Sequence, residues 1–148
     1  MGRLVDAGIY VTPILAEWLN ETWGEDKKIE FYDAWEALAK REIPQMPFAT
    51  VTCLGARGED EPRIGVECSV TFYIPQIEAN AETRLYASDV LNEIEKNIPE
   101  LNSRLSPYHI ELHSRVTSIE YTIDQADIRD GVMSAVEFRL QTIDAGGA

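Results

Sequence analysis

The chain has 148 residues, 45% of them hydrophobic, and a formal net charge of −13 from 13 Lys plus Arg against 26 Asp plus Glu. That is one domain's worth of sequence, with enough apolar residues for a core that needs no disulfide or metal. The acidic balance argues against a basic nucleic-acid-binding face and keeps such a chain soluble.

No apolar run approaches ~20 residues, so no membrane span is expected. The start, Met1-Gly2-Arg3-Leu4-Val5-Asp6, lacks the apolar core of a signal peptide. Cys53 and Cys68 form neither a CxxC nor a zinc spacing, which fits reduced thiols in a cytosolic protein.

In chain order, the first predicted element is a helix. Thr12 is placed as its N-cap and Pro13 at its first position, where a missing N–H costs nothing. Ile14, Leu15, Trp18, Leu19 and Thr22 recur at helical spacing, and Gly24 is a stop signal. The apolar residues before Thr12 are an earlier helical turn or an arm lying on a neighbour. Lys28 to Tyr32 alternates as a short strand. Asp33 to Arg41 reads as a capped helix carrying Trp35, and Pro44 and Pro47 close it.

Phe48 to Leu54 and Arg63 to Ile74 are predicted strands of a hairpin. Between them, Gly55 to Pro62 is a loop rich in glycine and charge. If the apolar faces of both strands point inward, the register follows. Cys53 then opposes Cys68, Val51 opposes Val70 and Ala49 opposes Phe72. A slip of one residue would turn every one of them outward.

Asn80 or a neighbour caps the strongest helix, Ala81 to Ile98. Its stripe is Ala87, Val90, Leu91, Ile94 and Ile98, with Leu101 beyond and Pro99 as a stop. Tyr108 to Leu112 and Arg115 to Ile123 are strands with a break or bulge near Ser114. Asp130-Gly131 marks a turn into the last strand. There Val132, Val136, Phe138 and Leu140 share one face, and Glu137, Arg139 and Gln141 share the other. This strand and the one from Ile64 to Ile74 are expected in the middle of one sheet. The whole reads as a single α+β domain over 1–148, with 1–3 and 145–148 expected to be mobile. An antiparallel or mixed sheet of four to five strands packs on a long helix and an N-terminal helix.

Chemistry is thin. His109, Glu111 and His113 alternate on one strand, an incomplete metal shell at best or a polar strand face. No nucleophile elbow, zinc-protease helix, phosphate loop or dinucleotide fingerprint is present. Neither catalysis nor a cofactor is expected. Trp18, Trp23 and Trp35 are either core or partner anchors. In the 55–62 loop, Arg57, Glu59, Asp60 and Glu61 join Trp35 as candidate partner-interface residues. A long hairpin loop is often functional, and this one is expected to be mobile when free and ordered on assembly.

The order of elements, ending in Asp130-Gly131-Val132-Met133-Ser134-Ala135-Val136-Glu137-Phe138, resembles the tail terminator proteins of long-tailed bacteriophages. The likeness includes Met46-Pro47-Phe48-Ala49-Thr50-Val51 before the hairpin and the strand Ile119-Glu120-Tyr121-Thr122-Ile123-Asp124. It covers about Leu4 to Ile143, and its motifs carry no chemistry. The 33–41 helix departs from a minimal version of that family. The resemblance implies a homo-hexameric ring at the head-proximal end of the virion tail, made in the host cytoplasm. Such a ring ends tail-tube polymerisation, with tube protein on one side and head-completion or connector protein on the other. DNA would pass through the bore without specific binding. Two other readings stand beside it: a neighbouring head–tail connector or tube component, and a small-ligand-binding α+β protein.

Overall fold

The computed structural model describes residues 5–6, 8–36, 47–57, 63–108, 110–125 and 131–144. Along the chain come β1 (Val5–Asp6), α1 (Gly8–Leu19), a π turn (Asn20–Gly24) and a helical turn (Glu25–Lys27). β2 (Glu30–Asp33), β3 (Phe48–Leu54), β4 (Ala56–Arg57) and β5 (Arg63–Pro75) follow. After a 3-10 turn (Gln76–Glu78) and a short helix (Ala81–Arg84) come α2 (Tyr86–Lys96) and α3 (Ile98–Leu105). A second 3-10 turn (Ser106–Tyr108) leads to β6 (Ile110–Gln125) and β7 (Gly131–Asp144). The expected mobile ends, 1–3 and 145–148, lie outside the described residues.

The fold is α+β. Five strands form a mixed sheet in the order β2-β3-β5-β7-β6, with β2 parallel to β3 and the other neighbours antiparallel. The hairpin register is the one its alternation dictates: Ala49 opposes Phe72, Val51 opposes Val70 and Cys53 opposes Cys68. β5 and β7 lie side by side over their whole lengths, so the two best-patterned strands form the interior of the sheet. The break expected near Ser114 is a shift of register within one continuous β6, between Leu112 and Val116.

The core forms where the inward sheet face meets the helices. Val66, Cys68, Val70, Phe72 and Ile74 of β5 pack with Val136 and Phe138 of β7. Leu15, Trp18 and Leu19 of α1 join the same cluster, as do Val90, Leu91 and Ile94 of α2 and Leu101 and Leu105 of α3. Against it packs the partly buried Trp23, which meets Phe31, Phe72 and Tyr86 with ring centroids 5.9, 5.5 and 5.1 Å apart. Such edge-on aromatic contacts add to what area burial alone contributes.

Three local expectations are corrected. First, α1 begins at Gly8, so Pro13 lies inside the helix and Thr12 is not its cap. Pro13 and Ile9, the carbonyl partner it cannot serve, are both exposed, so water can satisfy that carbonyl. Second, Pro99 does not end the helical layer. The chain turns at Asn97 and resumes as α3, with Pro99 in the first turn, where no N–H is missed. Third, the 55–62 stretch is not all loop, because Ala56–Arg57 pairs with Val5–Asp6 as a two-stranded ladder. The N-terminal arm therefore lies on its own chain. The Asp33–Arg41 helix is seen only in its first turn, residues 34–36, where the Asp33 carboxylate accepts from the Trp35 N–H at 2.9 Å. Residues 37–46 lie outside the described residues.

Both edges of the sheet are held by side chains of the helical layer. On β2, the Phe31 N–H donates to Asn20 Oδ1 at 2.6 Å, and Asn20 Nδ2 donates to the Phe31 carbonyl at 2.9 Å. On β6, the Leu112 N–H donates to Asn102 Oδ1 at 2.6 Å, and Asn102 Nδ2 donates to the Leu112 carbonyl at 3.1 Å. Each carboxamide stands in for one residue of a missing strand, which blunts an edge that could otherwise pair with another chain. Thr12 acts similarly where β2 runs out beside β3: it accepts from the Cys53 N–H at 2.9 Å and donates to the Cys53 carbonyl at 3.2 Å. Asn20→Ala and Asn102→Ala are each expected to cost about 1–3 kcal/mol, because both strip a partly buried strand residue of two partners. Denaturant melts with amide exchange at Phe31 and Leu112 check this; unchanged protection there would show that the clamps are idle.

Candidate interface surfaces

The inward face leaves little room for chemistry. Among the described residues the buried polar side chains are Thr12 and Ser134, and Thr12 is occupied with Cys53. Cys53 and Cys68 are free thiols, both buried. Because both polar backbone groups of Cys53 engage Thr12, the two cysteines form a pair that is not hydrogen-bonded through the backbone, the closer kind of cross-strand pair. Burial pushes the Cys68 thiol well above its ordinary pKa, and its contact with Cys53 adds to this. A raised pKa keeps the nucleophilic thiolate scarce. Of the predicted metal triplet, Glu111 is exposed, His109 lies outside the described residues, and β6 carries His113 as a backbone position. No group of three His, Cys, Asp or Glu among the described residues is placed to hold a metal.

The outward sheet face carries rows set by the register. Phe48, Tyr73 and Met133 are neighbours across β3, β5 and β7. Next come Thr50, Thr71 and Ala135, and Leu54, Glu67 and Arg139 lie at the far end. Aromatic rings gather at the first end: Tyr73 stacks on Phe48 at 4.7 Å, and Tyr32 meets Phe48 edge-on at 6.2 Å. The Tyr32 phenol donates to the Glu30 carboxylate, and chiefly for that reason its pKa is pushed up to about 12. At the opposite end Arg139, half-buried, pairs through Nε with the exposed Glu67 carboxylate at 3.3 Å. Surface pairs of this kind contribute little to stability. The middle of the face carries Thr50, Thr71, Thr52 and Ser69, and so bears hydroxyls.

Large apolar side chains are left in solvent at both ends of the sheet. At the end where β2 and β3 finish, Ile9 and Trp35 are each 65% exposed and Leu54 is 52% exposed. Tyr10 stacks on Tyr108 at 4.7 Å near Ile9, and both are exposed. At the other end, Ile77 is 95% exposed and Leu85 is 56% exposed. Of the three tryptophans, only Trp35 is available to a partner, since Trp18 is fully buried and Trp23 belongs to the aromatic core. Lys27–Glu82 at 3.6 Å and Arg104–Glu21 join separate helical elements at the surface, while Arg104–Glu100 at 3.6 Å is a pair within α3.

The other predicted interface residues fall elsewhere. Arg57 occupies a β4 position opposite Val5. Glu59, Asp60 and Glu61 lie outside the described residues. The sequence missed the Ile77 end. An isolated isoleucine between Gln76 and Glu78 carries no periodic signal, and only its position on a turn beyond the sheet leaves it bare. No protein-family model matches the chain, and no curated protein matches it.

Proposed function

We propose that the chain is a structural assembly subunit, a tail terminator of a long-tailed bacteriophage that forms a hexameric ring. In this reading the ring ends the tail tube, meets tube protein on one face and head-completion protein on the other, and passes DNA through its bore. The observation that carries it is a subunit whose core is closed and apolar while large apolar side chains stand in solvent at both ends of its sheet. Apolar side chains at two ends suit a ring subunit, which meets a different neighbour surface on each side. The charge of −13 supports the conduit, because a bore of acidic subunits repels the phosphate backbone and lets it slide. The element order and the hairpin and closing-strand motifs support the family. The alternative in the same class is an adjacent connector or tube component. A small-ligand binder is less well supported, since a ligand pocket gathers polar groups from several strands and the inward faces here are apolar. The reading assigns no catalysis and no cofactor.

Light scattering of the purified chain, with negative-stain imaging, tests it. The expected result is a ring of six times the chain mass, formed alone or on the ends of tail tubes. A chain that stays monomeric in both settings, or one that takes up a small ligand stoichiometrically, would sink the ring.

A further inference from the structure

Cys53 and Cys68 face each other across β3 and β5 on the inward side of the sheet. Both are free thiols, and each is 2% exposed. The chain has 2 cysteines, so no third thiol competes for either partner. The Thr12 hydroxyl takes the N–H and the carbonyl of Cys53. A strand residue points both of these groups to the same side, so Cys53 shares no backbone hydrogen bond with Cys68. Cα atoms in such a pair stand about 4.5 Å apart, and a disulfide spans about 4.4–6.8 Å. The Cys68 thiol donates weakly to the Val66 carbonyl at 3.7 Å, a contact that rotation toward Cys53 gives up at little cost.

A route from solvent leads to one partner. At the end where β2 and β3 finish, a cleft of about 390 Å³ has Cys53 in its wall, with Gly8, Ile9, Thr12, Asp33 and Trp35. That volume admits a small organic molecule. Asp33 brings a carboxylate to the wall, and the chain carries a net charge of −13. A neutral reagent therefore enters more readily than an anionic one. Burial pushes the Cys68 thiol up, so the reaction in the folded chain is slow rather than forbidden.

We propose that Cys53 and Cys68 are a dithiol site that closes into a cross-strand disulfide by exchange with a small neutral disulfide. The Cys53 thiolate attacks one sulfur of that molecule, its S–S bond breaks, and one thiol leaves. The Cys68 thiolate then attacks Cys53 Sγ in the mixed disulfide, and the second thiol leaves as the Cys53–Cys68 bond forms. The protein gives up two electrons and two thiol protons, and the small disulfide becomes two thiols. The site is open at a reducing poise and closed at an oxidising one. The bond lies at the base of the β3–β5 hairpin, one position before β3 ends at Leu54, and staples the two strands there. It stands independently of the ring reading.

The test incubates the pre-reduced, folded parent with hydroxyethyl disulfide, then alkylates the remaining thiols under denaturing conditions for mass spectrometry. Expected are loss of both alkylatable thiols, a mass lower by two hydrogens with no adduct, and a peptide map joining Cys53 to Cys68. The melting midpoint is expected to rise by about 6–12 °C and to fall back after dithiothreitol. Cys68→Ala, checked by a melt, is expected to stop at one adduct on Cys53, which shows where exchange begins. A parent that keeps both thiols, holds a stable adduct, or links between chains on a non-reducing gel overturns the site. An adduct absent from a folded Cys68→Ala variant overturns entry at Cys53. A midpoint unchanged by the bond overturns the staple.

Discussion

Phe72→Ala is expected to lower the unfolding free energy by about 3–5 kcal/mol, the range for emptying a buried aromatic site. Phe72 is fully buried in the middle of β5, between Ala49 on β3 and Ser134 on β7. Its ring lies 5.5 Å from Trp23, 5.6 Å from Phe31 and 5.7 Å from Tyr86. Three other elements converge on it: the π turn, β2 and the start of α2. Neighbours drawn from separate elements cannot all move inward together, so most of the lost volume remains as a cavity. Ile94→Ala, on the buried stripe of α2, is expected to cost about 2–5 kcal/mol for the same reason. Reversible denaturant melts check both. If the two midpoints match the parent's, these residues are not at the centre of the core.

Gly24→Ala is expected to cost about 1–3 kcal/mol, and close to the upper figure, although it adds a single methyl group. A Cβ at Gly24 would stand 2.6 Å from the Ile29 carbonyl oxygen, 3.0 Å from the Leu19 carbonyl oxygen and 3.0 Å from Phe31 Cδ1. The nearest of these is backbone, so no rotamer change makes room. The same turn is closed by the Ile29 N–H donating to the Gly24 carbonyl at 2.9 Å. Pushing it open would displace β2, and with it the Phe31 groups clamped by Asn20. A melt shows the loss, and amide exchange at Phe31 shows its route. If exchange at Phe31 is unchanged while stability falls, the strain is absorbed locally and the link to β2 is wrong.

Much of the fold was legible because alternation and helical spacing are strict. The β3–β5 register could be read from the inward residues alone, since a slip of one position would have exposed Val51, Val70 and Phe72 together. The stripe of α2 was legible for the same reason: Ala87, Val90, Leu91 and Ile94 are all buried. Asn80 could be read as a cap from residue type, but the structure breaks the expected Ala81–Ile98 helix at Leu85: Asn80 pairs reciprocally with Thr83 on the short helix Ala81–Arg84, and α2 begins at Tyr86 with no side-chain cap. Two proline signals misled. Proline is equally at home in the first turn of a helix and just past its end, so Pro99 alone could not say which, and the packing of Leu101 and Leu105 into the core decided it. Pro13 was misplaced because packing of Val11 and Thr12 carries α1 back to Gly8.

The candidate surfaces were less legible. Trp18, Trp23 and Trp35 look alike as letters, and only the tertiary arrangement buries two of them and leaves the third at the rim of a cleft. The clamps of Asn20, Asn102 and Thr12 join residues 11, 10 and 41 positions apart, and no local pattern announces a side chain that serves a distant backbone. By itself, then, the sequence determined the α+β class, the register of its hairpin and the side of each periodic element that faces inward, because those follow from a repeat of two or of 3.6 and the cost of exposing apolar surface. Only the tertiary structure decided which edges are closed, which tryptophan is free, and that Ile77 and the cleft stand at opposite ends, because each depends on contacts between residues far apart in the chain.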